Sequence, residues 1–183
     1  MPETAESLSA SQTSSRNITI EITNQTDNFI LLDPKVHLEA GHCHSPPQPS
    51  VRPHATEVCN FEKGSGAVGS VGVMTYDVYK RGQSSPTGKL TLMFSVPYDR
   101  NFYKNWMALG LFPMDTECDE KLYKKMYYDK EQVGFQRVEV NGSVLNMREM
   151  DLSVMVTMSP LAKSIMKVEV WNLEAFEGLQ FQL

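Results

Sequence analysis

The sequence predicts a mainly β protein. The expected architecture is an antiparallel β-sandwich flanked by helix, one domain over residues 16–183, preceded by a disordered tail over residues 1–15. Three observations carry that expectation. Short segments with alternating apolar and polar residues recur at near-regular spacing, as strands with one buried face do. One segment, DTECDEKLYKKMYYDK from Asp115, reads as a helix. Its acids come first and its lysines later, the order that suits the helix dipole. Asn141-Gly142, between GFQRVEV and SVLNM, is the strongest two-residue hairpin signal in the chain.

The elements follow in order. Residues 1–15 are rich in Ser, Thr, Ala and Glu and read as disordered. In RNITIEIT, Ile18, Ile20 and Ile22 face one way and Asn17, Thr19 and Glu21 the other, a half-buried strand. Residues 24–28 are a turn by composition, and FILLDPKVHL is a second strand broken at Pro34. Residues 41–56 contain Pro46, Pro47, Pro49 and Pro53 and are expected as an extended surface loop. Residues 66–79 read as a small-residue strand, residues 82–88 as a turn. KLTLMFSV puts Leu90, Leu92, Phe94 and Val96 on one face. WMALGLF, DLSVMVTM and SIMKVEVW complete the strands.

Composition narrows the function classes. A chain of 183 residues with 41% hydrophobic residues can build one real core. Its 17 Lys and Arg against 22 Asp and Glu give a net charge of −5, with no long basic run. That argues against a nucleic-acid partner. No apolar run approaches the roughly 18 residues that span a bilayer as a helix. The first fifteen residues lack the basic and apolar regions of a secretory signal. The expected location is therefore the cytoplasm, or release without a signal peptide, with peripheral membrane association. Cys43, Cys59 and Cys118 are too few for a disulfide framework and read as reduced thiols. The Asn-x-Ser/Thr tripeptides at Asn17, Asn24 and Asn141 read as chance.

Enzyme motifs do not assemble. Gly64-Ser65-Gly66-Ala67-Val68-Gly69 fits G-x-G-x-x-G, but a dinucleotide site needs a helix after the glycines. Here Val71, Val73, Tyr76 and Val78 follow, in a strand-like pattern. No cofactor is expected. His37, His42, His44 and His54 fall close together with Cys43 among them. Strand alternation turns Cys43 away from its two neighbours, and a Pro-rich loop supplies no rigid support, so no metal is expected.

Two segments combine aromatic and polar residues: SVPYDRNFYKNWM, residues 95–107, and LYKKMYYDK, residues 122–130. Tyr123 and Tyr127 are four apart and share a helix face, with Tyr128 offset by about 100 degrees. Tyr98, Phe102, Tyr103 and Trp106 precede them. Such a cluster suits a phosphocholine head group. Ring faces hold the quaternary ammonium at about 0.5–2 kcal/mol each, and hydroxyls donate to the phosphate. The same rings suit a membrane–water interface. Core packing and sugar stacking are also open to them.

SVPYDRNFYKNW and LYKKMYY closely resemble the actinoporin family, the sea-anemone pore-forming cytolysins and their relatives in fish and other animals. RNITIEITNQT, and KGSGAVGSVGV followed by LTLMFSVPYD, fit that family in order and spacing. The resemblance covers about residues 16–170. It implies the actinoporin-like (cytolysin–lectin) sandwich, no enzymatic activity, recognition of phosphocholine lipids, especially sphingomyelin, and self-oligomerisation on membranes. It carries the head-group site onto Val71, Ser95, Pro97, Tyr103, Tyr123, Tyr127 and Tyr128. It carries the membrane-contacting residues onto Phe102, Tyr103, Trp106 and Met107, the last standing where the family often has a second Trp. A serine of the family's site falls at Ala40, and the basic residue before it at Glu39. The Arg-Gly-Asp tripeptide after the helix is absent; the chain reads DKEQVGF there. Residues 1–15, with Pro2 and no apolar stripe, do not match the family's inserting amphipathic helix. The expectation is a retained binding half and doubtful lytic activity. A soluble carbohydrate-binding lectin on the same sandwich is the alternative.

Overall fold

The computed structural model describes residues 3–180, which form two six-stranded sheets and three helices. Helix α1 spans Ala5–Ser11. Strands β1 (Asn17–Asn24), β2 (Phe29–Ala40), β3 (His42–Ser45), β4 (Ser50–Val51), β5 (Thr56–Glu62), β6 (Ser70–Lys80), β7 (Gly88–Val96) and β8 (Trp106–Phe112) follow. Helix α2 (Glu120–Tyr128) separates them from β9 (Phe135–Glu139), β10 (Leu145–Glu149), β11 (Leu152–Met158) and β12 (Lys163–Asn172), and α3 (Leu173–Gln180) comes last. One sheet has the order β10-β11-β12-β1-β5-β3 and the other β4-β2-β6-β7-β8-β9. All ladders are antiparallel except β1 with β12, which run parallel from Asn17↔Lys163 to Asn24↔Val170. The sandwich is thus antiparallel-rich rather than wholly antiparallel.

The main core lies between the sheets. Ile18, Ile20 and Ile22 of β1 enter it, as their alternation requires, with Leu90, Leu92, Phe94 and Val96 of β7. Phe61 and Phe94 stack with centroids 5.3 Å apart. The second sheet is covered on its outer face too. Val73, Met93, Ala108, Phe112 and Phe135 meet Leu122, Tyr123 and Met126 of α2 there. Every residue of β7 is therefore buried, although its sequence reads as an alternating strand.

Several expectations need correction. Residues 1–15 are not wholly disordered. Thr4 caps α1, its hydroxyl accepting from the Ser7 N–H, and Ala5 and Leu8 pack on Val58 and Ile165. An ion pair links Glu6 to Lys167. A helix this short holds by tertiary contact, which local composition does not reveal. Strand β2 is not broken at Pro34. The register shifts between Leu32 and Lys35, and Asp33 adopts φ 53, a bulge that absorbs a residue without an N–H. The proline-rich stretch is not all loop, since β3 and β4 occupy it at the two sheet edges, where missing donors cost no ladder bonds. Helix α2 begins at Glu120, because the Asp119 carboxylate caps it by accepting from the Leu122 N–H.

Asn141-Gly142 does turn, with Gly142 at φ +94 and the Asn141 side chain accepting from the Ser143 N–H. It does not close a hairpin. Strand β9 pairs with β8 in one sheet and β10 with β11 in the other, so the turn carries the chain across the sandwich.

Candidate functional site: a tyrosine shelf beside an exposed aromatic loop

The site lies on the outer face of the second sheet, where α2 rests. Leu122, Tyr123 and Met126 face the sheet, Tyr127 is half-buried, and Tyr128 is 66% exposed. The Tyr123 and Tyr127 rings stack at 5.6 Å, and Tyr127 meets Tyr128 edge-on at 4.8 Å. Arg137 fixes this end of the helix. Its Nη1 donates to the Met126 carbonyl at 2.8 Å and its Nη2 to the Asp129 carbonyl at 2.6 Å. A cation on the last carbonyls also complements the helix dipole.

A row of cross-strand partners runs beside the helix. Ala40 pairs with Val71, Val71 with Ser95, Ser95 with Trp106, and Trp106 with Glu139. Strand alternation puts Val71, Ser95 and Trp106 on the side of Val73, Met93 and Ala108, which is the α2 side. Sequence positions tens of residues apart thus share one face with the tyrosines.

The loop between β7 and β8 combines a fixed base with a bare tip. Buried Asn105 donates to the Ser159 and Leu161 carbonyls, both at 3.0 Å, and its Oδ1 accepts from Arg100 Nη1 at 2.8 Å. The Tyr103 N–H donates to the Asp99 carbonyl at 3.2 Å. At the tip, Phe102 is 82% exposed and Tyr103 62%. Adjacent aromatics this exposed mark an interaction surface rather than ordinary surface.

Electrostatics keep the shelf neutral. Burial pushes the Tyr123 phenol well above the ordinary tyrosine range, with Tyr127, Tyr128 and Glu39 adding to it. Burial also raises the Tyr127 phenol, helped by Tyr128 and Tyr103 and opposed by Arg137. Both hydroxyls remain protonated donors at neutral pH, and Tyr103 lies within electrostatic reach of Tyr127.

The structure gathers Val71, Ser95, Tyr103, Tyr123, Tyr127 and Tyr128, with Pro97 at the start of the aromatic loop. Tyr123 doubles as core. Phe102 and Tyr103 are exposed, and Trp106 is half-buried. Met107 is misassigned as a membrane contact. It is 0% exposed and sits in the core between the sheets, because it follows Trp106 on β8 and points the opposite way. Arg137 and Asn105 went unrecognised in the sequence, since each acts through backbone carbonyls that only the fold brings near.

Other features stand apart. His42 Nε2 and His44 Nδ1 approach Glu62 Oε1 at 2.7 and 3.8 Å. Among the described residues no three His, Cys, Asp or Glu side chains are placed to share a metal ion. A cavity of about 580 Å³ beside α3 is lined by Asp27, Lys80, Asp151 and Glu174 among others. None of the shelf tyrosines lines it, and its acidic wall opposes a phosphate.

A two-sheet sandwich with a helix on one outer face, a tyrosine shelf and an exposed aromatic loop defines the actinoporin-like class. The family model for the sea anemone cytotoxic protein matches residues 48–169, and the chain belongs to that family. It is 34% identical over 68 residues to DELTA-actitoxin-Aeq1a of Actinia equina, covering 37% of this chain and 29% of the relative. It is 38% identical over 65 residues to DELTA-alicitoxin-Pse1b of Phyllodiscus semoni, covering 36% of this chain and 26% of the relative. The matches thus span less than a third of the length of these relatives. These relatives are toxins by name, in keeping with a non-enzymatic protein. In fold the chain is similar to the lipid binding protein Nakanori, with TM-score 0.64 and 13% identity, over 91% of this chain and 77% of that one.

Proposed function

We propose that this chain binds membranes by seating phosphocholine head groups, sphingomyelin's above all, on the tyrosine shelf. One observation carries the reading: Tyr103, Tyr123, Tyr127 and Tyr128 converge beside Val71 and Ser95, next to an aromatic loop whose tip is bare. The ammonium group has no proton to donate, so ring faces suit it, and the protonated phenols supply donors for the phosphate. Phe102 and Tyr103 enter the interfacial layer, where rings with a polar edge rest well. Membership in a family of cytotoxic proteins supports assembly of several copies on the membrane.

Helix α1 is seven residues long. At about 1.5 Å per residue it reaches about 10 Å, against a hydrocarbon core of about 30 Å. Among the described residues no helix is long and apolar enough to cross a membrane.

Sedimentation with phosphatidylcholine vesicles, with and without sphingomyelin, tests the reading. Binding should rise with sphingomyelin and fall on adding free phosphocholine. Competition by simple sugars and not by phosphocholine would replace the lipid reading with a lectin one.

A further inference from the structure

The aromatic loop has a second flank. A cavity of about 740 Å³ is walled by residues 97–101 and Tyr103 on one side and by Arg16, Ala67 and Gly69 on the other. The wall is closely fitted. A Cβ added at Gly69 would lie 2.1 Å from the Val96 carbonyl oxygen, so only glycine lets this turn approach the end of β7.

Two cations flank Tyr98, and a third, Arg100, lines the same cavity. The Arg16 guanidinium lies 5.4 Å from the Tyr98 ring centroid, and Lys63 Nζ lies 5.7 Å from the same centroid. Arg16 Nε and Nη2 donate to the Tyr98 carbonyl at 3.2 and 3.0 Å, and Nη1 to the Ser15 carbonyl. Arg100 donates to Asn105 Oδ1 and to the Pro160 carbonyl. Lys63 donates to the Gly64 carbonyl at 3.0 Å. All these partners are neutral oxygens. No ion pair among the described residues involves Arg16, Lys63 or Arg100. A guanidinium has five N–H donors and an ammonium three, so each group keeps donors to spend. Among the described residues one acid lines the cavity, Asp99, whose Oδ1 accepts from the Asn101 N–H. Arg100 loses some basicity through burial and through the neighbouring charge of Arg16. The two guanidiniums therefore lie within electrostatic reach of one another.

A chain of net charge −5 that lines this groove with Arg16 and Arg100, and holds Lys63 beside it against the Tyr98 ring, has a local use for these cations. Phosphocholine suits this groove poorly, because its own ammonium would be repelled. A phosphate whose charge is not cancelled within the same head group suits it well, since guanidinium and phosphate form strong charge-assisted bonds. We infer that this groove is a second binding site, taking the phosphate group of an anionic lipid beside the phosphocholine shelf. This placement rests on the proposed seating of the aromatic loop in the membrane.

The test uses the full chain and phosphatidylcholine–sphingomyelin vesicles, with and without a minor fraction of phosphatidylglycerol, whose head group carries no cation. At low salt the anionic lipid should raise affinity about 5- to 30-fold, at roughly fivefold per cation engaged. Physiological salt should shrink the gain. Arg16→Gln and Lys63→Gln should each lose most of the gain while keeping binding to the zwitterionic vesicles. Arg100→Gln should lose it as well, but Arg100 also holds Asn105, so the other two variants decide. No gain from phosphatidylglycerol, or a gain that survives both Arg16→Gln and Lys63→Gln, overturns the inference. Calorimetry of the lipid-free protein with inorganic phosphate separates the two phosphate sources. Saturation in the micromolar range without any gain from phosphatidylglycerol would assign the groove to a soluble phosphate and overturn the lipid assignment. Failure of the shelf reads out differently: Tyr127→Ala would then leave zwitterionic binding intact.

Discussion

On the α2 side of the aromatic loop, the aromatic groups of the proposed site come from two short stretches, residues 102–106 and 123–128. They are rings and protonated hydroxyls, and the nearby Arg137 spends donors on helix carbonyls. On the other side, Arg16, Lys63 and Arg100 arrive from three stretches tens of residues apart, and among the described residues no carboxylate pairs with them. Both flanks share one loop, held at its base by Asn105. Under the proposed function, the difference means that one loop divides its sides between two head-group chemistries: ring faces for a cation that cannot donate, and guanidiniums for an anion that can only accept.

The largest expected effect concerns the loop's junction with the core. Met107→Ala should lower stability by about 2–5 kcal/mol, the range for emptying a buried aliphatic site. Phe102→Ala should leave stability within about 0.5 kcal/mol, as exposed substitutions do, and weaken vesicle binding. Denaturant unfolding and vesicle sedimentation on both variants check this pair. A stable Met107→Ala that binds poorly would return Met107 to the membrane face.

Next comes the shelf itself. Tyr127→Ala and Tyr103→Ala should each weaken binding to phosphocholine vesicles by about 1–3 kcal/mol, from lost ring and hydroxyl contacts. Circular dichroism should be unchanged. Tyr123→Ala should also lose stability, because Tyr123 packs in the core beneath α2. Arg16→Gln should leave zwitterionic binding as it was. Equal losses in Tyr127→Ala and Arg16→Gln on those vesicles would merge the two flanks into one site.

The smallest effect is a pH dependence. The Tyr123 and Tyr127 phenols sit above their ordinary value in the folded chain. Below about pH 10 both folded and unfolded chains keep these protons, so stability is flat with respect to them. Above that the unfolded chain releases protons that the folded chain retains, and stability falls as pH rises. Urea midpoints at pH 9 and pH 11 should differ in that direction. Zwitterionic binding should hold through pH 9, since the hydroxyls remain donors.

The contrast between the flanks also explains what the sequence made legible. Tyr123, Tyr127 and Tyr128 are near neighbours on one helix, and the RNFYKNW run puts several aromatics in one loop, so local spacing revealed the shelf. The sandwich was legible for the same reason, since alternation in RNITIEIT and KLTLMFSV is a local property. The basic groove was hidden because net charge and runs of like charge say nothing of three cations that only folding brings together. Tertiary contact likewise overrode local reading at α1, where two apolar residues seat a helix that composition assigned to disorder. At Asn141-Gly142 the turn chemistry was legible, but the destination of the following strand depends on which sheet has an open edge. Met107 was misplaced by carrying over a family position without asking which face of β8 it occupies.

The most direct measurement is a titration of free phosphocholine into the full chain, followed by the ring resonances of its tyrosines. The account predicts saturable shifts confined to Tyr103, Tyr123, Tyr127 and Tyr128, lost in Tyr127→Ala, with Tyr98 unmoved. Saturation that moves Tyr98 and leaves the α2 tyrosines in place would contradict it, as would shifts that grow without saturating and survive in Tyr127→Ala.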